Sequence, residues 1–133
     1  MKDYDFLVEE AFKALENAYA PYSNYQVGAC VLLNDGTLIH GANIENASYG
    51  GTSCAERNAV FSVYSKGYRK DDIAAIAIVS HGEYLAGPCG ICRQVLSELL
   101  NQDTFIILDN RKQRKITNIN ELLPMQFGPK DLA

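Results

Sequence analysis

A three-layer α/β/α sandwich around a mixed sheet of about five strands is the fold this sequence predicts. Three observations carry it. Val27–Leu33, Ile73–Val79 and, after its opening threonine, Thr104–Leu108 are apolar at successive positions, the pattern of strands covered on both faces. Segments with helical apolar spacing alternate with the later runs, so crossovers and a parallel portion of sheet are expected. Asn34-Asp35-Gly36 marks a tight turn, which makes the opening of the sheet a hairpin.

Taken in order, Asp3 is placed to cap a first helix whose Leu7, Ala11, Leu15 and Ala18 share one face, with Lys13, Glu16 and Asn17 mostly off it. Pro21 closes that helix, because proline disfavours helical geometry in the residue before it. After the first buried strand and its turn, Thr37–His40 pairs back. Gly41 to Ser53 is a long polar connection, a length that more often serves function than not. Ser53 opens a helix to about Ser65, with Ala55, Ala59, Val60 and Val63 inward. Cys89 to Leu100 reads as the next helix, its apolar face formed by Ile91, Val95, Leu96 and Leu99. Arg114–Thr117 is a shorter edge strand, and Asn118 caps a last turn with Glu121 as its capping-box partner.

The 133 residues suit one domain, residues 1–133, with one core. A formal net charge of -4 offers no basic track for a polyanion, so no nucleic-acid partner is expected. The first residues lack the basic start and apolar run of a signal peptide, and Ile73–Val79 is too short to span a bilayer. A cytoplasmic protein with no membrane partner is the expectation. Four cysteines in that setting point to metal or catalysis before disulfides.

Ser53-Cys54-Ala55-Glu56-Arg57 and Pro88-Cys89-Gly90-Ile91-Cys92 concentrate the chemistry. Cys54, Cys89 and Cys92 supply three thiolates, a usual protein ligand number for a zinc ion that keeps one position open. Glu56 follows the first thiolate at a distance suited to work on a water in that position. Both segments begin expected helices, where unpaired N–H groups and the helix dipole favour anions. Three thiolates overcompensate the charge of zinc, and a nearby cation corrects that; Arg57 is the first choice and Arg93 the second. Other readings stay open on the residues alone. Cys89 and Cys92 also suit a redox pair, and a closed structural site needs a fourth ligand from Cys30, His40 or His81. Cys30 reads as a small buried hydrophobe, and the histidines as solvated loop residues. Ser53 and Glu56 also match a capping box.

Cys54-Ala55-Glu56 with Pro88-Cys89-Gly90-Ile91-Cys92-Arg93-Gln94 resembles the zinc-dependent cytidine deaminases, in their small homotetrameric three-cysteine form. The resemblance extends to Tyr19–Ala29, to Asn43-Ile44-Glu45-Asn46-Ala47-Ser48-Tyr49, and to Glu121–Pro124 with Phe127, in family order. It implies one Zn2+ per subunit on Cys54, Cys89 and Cys92, with Glu56 shuttling protons to deaminate cytidine and deoxycytidine in pyrimidine salvage. It further implies that Asn43 and Glu45 bind the ribose, that Tyr25 packs against the nucleoside, and that the Ala55 N–H lies near the pyrimidine 2-oxo group. Ala47, Tyr49 and Phe127 are the positions lent to neighbouring subunits. Two features depart from the family pattern: Tyr25 stands where phenylalanine is usual, and Gly50-Gly51-Thr52-Ser53 does not match a family motif, which bears on affinity and substrate breadth. Deamination of a modified cytosine nucleoside antibiotic, a non-catalytic zinc module and, more weakly, nucleic-acid editing are the alternatives.

Overall fold

The structure, a computed structural model, describes residues 3–132. Nine elements follow in chain order: α1 (Asp5–Leu15), β1 (Val27–Leu33), β2 (Leu38–Ala42), α2 (Ala55–Ser65), β3 (Ile73–Ser80), α3 (Gly90–Leu99), β4 (Phe105–Asp109), β5 (Arg114–Thr117) and α4 (Ile119–Leu122). The strands form one mixed sheet in the order β2-β1-β3-β4-β5. Only β3 and β4 run parallel, joined by the crossover through α3; the other neighbours are antiparallel.

The central strands of the sheet are largely buried on both faces, which is why they are almost wholly apolar. Ser80 and Asp109 are the polar residues at the ends of β3 and β4, and the edge strand β5 is mostly exposed. On one face α1 packs Leu7, Val8, Ala11, Phe12 and Leu15 against Cys30, Ala75, Ala77 and Val79. On the other, Ala55, Ala59, Val60 and Val63 of α2 and Leu96 of α3 cover Ala29, Val31, Ile76 and Ile78. The expected α/β/α layering is present.

Three local expectations are corrected. First, α1 stops at Leu15, short of Ala18, because the backbone beyond it is claimed elsewhere: Tyr19 N–H donates to the Asn43 carbonyl (2.9 Å) and Glu45 N–H to the Tyr19 carbonyl (2.8 Å). Asp3 does accept the Asp5 N–H at 2.9 Å, although Tyr4 holds the cap position. Second, α2 begins at Ala55, not Ser53, since Ser53 N–H pairs with the Ile44 carbonyl at 2.9 Å. Third, Ile91 is 63% exposed; Leu96 is buried and Leu99 packs on the core as expected, while Cys92 and Ser97 complete the buried side of α3. Turning Cys92 inward carries Ile91 out to solvent.

Close backbone approach sets where α2 lies. A Cβ built on Gly41 would stand 2.4 Å from the Ala55 carbonyl oxygen and 2.6 Å from the Ala59 nitrogen, so glycine lets the first turns of α2 rest on β2. Gly41→Ala is therefore expected to lower unfolding free energy by about 1–3 kcal/mol, the usual cost of overpacking, in urea denaturation. Wild-type stability in that variant would show that α2 shifts freely.

Candidate metal centre and pocket

Two helix starts converge on one point. Cys54 is the extended N-cap residue of α2 and Cys89 that of α3, while Cys92 lies in the first turn of α3. The Sγ atoms of Cys54, Cys89 and Cys92 all lie within 4.8 Å of one another, and all three cysteines are free. Cys54 Sγ and Cys89 Sγ are 3.8 Å apart. Thiolates at a Zn–S distance of about 2.3 Å occupy tetrahedral corners about 3.8 Å apart, so the donor set fits zinc. The Cys92 N–H donates to Cys89 Sγ at 3.4 Å, the helix-terminal stabilisation of a thiolate expected at such a site.

Proton affinities in the cluster are split. A hydrogen bond from the Cys92 thiol and another from the Arg57 guanidinium bring the Cys54 thiol down to about 5, against the opposing effect of burial. Cys92 is pushed the other way, by holding its proton against the Cys54 thiolate and by desolvation. Protons here balance charge that a divalent cation would balance instead. Arg57 donates through Nη2 to Cys54 Sγ at 3.5 Å, which places a cation against the thiolates. Arg57→Gln is expected to lower turnover at neutral pH and move the acidic limb of the pH–rate profile upward, since the lost cation favours the deprotonated form of the attacking water. The loss at neutral pH is about ten-fold for each pH unit the limb moves. An unchanged profile would contradict this role.

Arg93 has a different task. Its Nε donates to the Pro88 carbonyl and its Nη1 to the Leu122 carbonyl, both at 2.7 Å, so it braces the second cysteine segment against α4 instead of facing the thiols. The remaining candidates for a fourth ligand lie elsewhere. Cys30 is fully buried on the α1 face, with burial pushing its thiol up to about 12. His40 Nε2 lies 3.0 Å from Glu10 Oε1, and His81 stacks against Phe12 with ring centroids 5.0 Å apart. Among the described residues, the closed four-ligand module has no fourth ligand. The redox-pair reading leaves both Cys54 and Glu56 unexplained.

Glu56 is only 4% exposed and lines the same cavity as Cys54 and Cys89. Burial is the main cause that raises its carboxyl above the usual range, with the Cys54 charge adding to it. The capping-box reading does not hold, because the Ser53 N–H it requires is already paired. A desolvated carboxyl that holds its proton more tightly than one in water suits acid–base work.

The cavity, about 230 Å3, is open on one side and takes one small molecule. Tyr25, Asn43, Glu45 and Ala55 contribute to it as the sequence suggests, and among the described residues no Lys, Arg or His lines it. Asn43 also works on the backbone: Oδ1 accepts the Val27 N–H at 2.9 Å and Nδ2 donates to the Tyr25 carbonyl at 2.8 Å. That leaves one N–H and one lone pair of its amide for a ligand. Glu45 is held by the Tyr22 and Ser23 N–H groups at 3.0 and 3.1 Å and by the Ser23 hydroxyl, whose hydrogen bond chiefly lowers its carboxyl below the usual range.

Ser23, Val27, Ala86 and Gly87, not among the expected site residues, also line the cavity, and so does Thr52 of the Gly50–Ser53 stretch. The hydroxyls of Ser23 and Thr52 are the available signals. Ala47, Tyr49 and Phe127 do not line it and are exposed. Tyr49 instead packs edge-on to Tyr22 beside the mouth, and the Phe127 carbonyl is held by Gln94 Nε2 at 2.9 Å.

Comparison with known proteins agrees with this geometry. Residues 1–108 match the family described as "Cytidine and deoxycytidylate deaminase zinc-binding region". A cytidine deaminase from Halalkalibacterium halodurans is 50% identical over 132 residues, covering 98% of each chain. One from Mycobacterium tuberculosis is 41% identical over 131 residues, 98% of this chain and 93% of that one. Among solved structures, the cytidine deaminase from Burkholderia pseudomallei superposes with a TM-score of 0.91 at 46% identity, covering 95% of this chain and all of the other. With the thiol cluster, the buried glutamate and these likenesses in hand, the chain belongs to the zinc-binding cytidine deaminase family.

Proposed function

We propose that this protein hydrolyses cytidine and deoxycytidine to uridine and deoxyuridine, releasing ammonia, and that it serves pyrimidine salvage in the cytoplasm. The observation that carries the reading is the buried Glu56 beside three zinc-fitting thiols on the wall of one small cavity. Zinc, when bound by Cys54, Cys89 and Cys92, lowers the pKa of a water from about 15.7 towards about 7. Glu56 accepts the proton of the attacking water and passes it to N3 of the ring as oxygen adds to C4. It then takes the proton of the new C4 hydroxyl and delivers it to the departing 4-amino group, so that the C4–N bond breaks, ammonia leaves and the uracil nucleoside remains.

Asn43 and Glu45 present an amide and a carboxylate to sugar hydroxyls, and Tyr25 offers a ring to the nucleoside. The carboxyl groups of Glu45 and Glu56 in the cavity lining favour the free nucleoside over its 5′-phosphate. Among the described residues, no helix is long and apolar enough to cross a membrane. Residues 1–133 act as one domain. The exposure of Ala47, Tyr49 and Phe127 outside the cavity supports their loan to neighbouring sites in a homotetramer.

An ultraviolet assay over cytidine, deoxycytidine, cytosine and cytidine 5′-monophosphate tests the substrate class. Turnover of the first two alone is expected. Preference for the monophosphate would overturn the reading.

A further inference from the structure

Asn110, at the end of β4, is 2% exposed and uses its whole amide. Its Oδ1 accepts the Lys112 N–H at 3.0 Å and the Gln113 N–H at 2.8 Å, which forms the turn into β5. Its Nδ2 donates to the carbonyls of Gly82 (3.1 Å) and Glu83 (3.2 Å), in the segment between β3 and α3. Both donors and both acceptor lone pairs are thus engaged, an arrangement whose loss leaves buried groups unpaired.

The tethered segment leads directly to the site: Ala86 and Gly87 line the cavity and Cys89 is in the thiol cluster. Gly82 also touches the cavity wall from behind. A Cβ built there would stand 3.2 Å from Tyr25 Cε1 and 3.5 Å from the Tyr25 hydroxyl, tighter than an ordinary contact at the first atom. The Gly82 N–H in turn donates to the Ser80 hydroxyl at 3.3 Å. Tyr25, the larger residue at a position where phenylalanine is usual, therefore rests close against the Gly82 backbone, where an added Cβ would have to push its ring by a few tenths of an ångström.

We propose that Asn110 is a positioning residue for substrate affinity: by fixing the Gly82 carbonyl it sets the seat of Tyr25, and so the wall that packs against the nucleoside. The inference rests on the cytidine reading above, and wild-type turnover of cytidine in the same assay separates failure of that reading from failure of this one. Asn110→Asp is the selective probe, because a carboxylate still accepts the two turn N–H groups but cannot donate to Gly82 and Glu83. The expected result is a KM for cytidine about ten-fold higher, the scale of one or two net hydrogen bonds, with kcat and zinc content held. In a Tyr25→Leu background the same change should add little, since neighbours that act through one contact are not additive. Gly82→Ala, which crowds Tyr25 directly, should reproduce the KM effect and serves if Asn110→Asp fails to fold. An unchanged KM, an equal fold-rise in both backgrounds, or a loss confined to kcat would overturn the proposal.

Discussion

Glu56→Gln is expected to keep zinc in place and to lower kcat by about 10^2–10^4-fold, the range over which a positioned proton-transfer group contributes. Glutamine matches the shape of the side chain but cannot hold and release a proton. The thiol donors are untouched, so metal content should equal that of the wild type. Stability offers a second, independent readout. Burial opposes the charged form of Glu56, so removing its ability to ionise should leave the thermal midpoint equal or higher. A structural helix-capping glutamate would show the reverse, with activity retained and stability lost by about 1 kcal/mol. Steady-state kinetics and calorimetry on one preparation distinguish the two, and an active Glu56→Gln variant would remove Glu56 from the mechanism.

Cys92→Ala is expected to abolish zinc binding and turnover together. Cys92 is fully buried, so a core cysteine that merely packs is the competing reading. The two make different predictions about zinc. A ligand that binds only the folded chain stabilises it by about 4 kcal/mol at a thousand times its dissociation constant. Wild-type thermal midpoint should therefore rise with added zinc, while that of the variant should not respond. Stoichiometric zinc in Cys92→Ala would show that the thiol is packing alone.

How much of this was legible in the sequence depends on whether a feature is local. The bounds of β1, Val27–Leu33, follow from an apolar run at successive positions, and the structure gives the same residues. Asn118 does cap α4, accepting the Glu121 N–H at 3.0 Å, because that interaction spans a single turn. The misplaced boundaries share another cause. The end of α1 and the start of α2 are both decided by pairing with residues 43 to 45, a partner no local pattern announces. On α3 apolarity alone places Leu96 and Leu99 correctly but Ile91 inward, whereas the Cys92 thiol, grouped with Cys54 and Cys89, takes the buried position beside it.

The site divides in the same way. Ligand identities and Glu56 stood out as residue types that chemistry requires at short spacing. Arg57 was inferred from charge balance, and its 3.5 Å contact with Cys54 follows from helical spacing in the first turn of α2. Arg93, closer still to a cysteine of the cluster in sequence, turns to two carbonyl oxygens, one of them from α4. The roles of Asn110 and Gly82 depend on contacts across more than twenty residues of chain, which spacing alone does not disclose.

The central claim is that one zinc-bearing cavity removes the 4-amino group of cytidine. Metal analysis and a cytidine deamination assay on the same purified sample test it together. The account predicts about one zinc per chain, release of ammonia with formation of uridine, and loss of both after chelation. A protein that carries its zinc and leaves cytidine unchanged would contradict it.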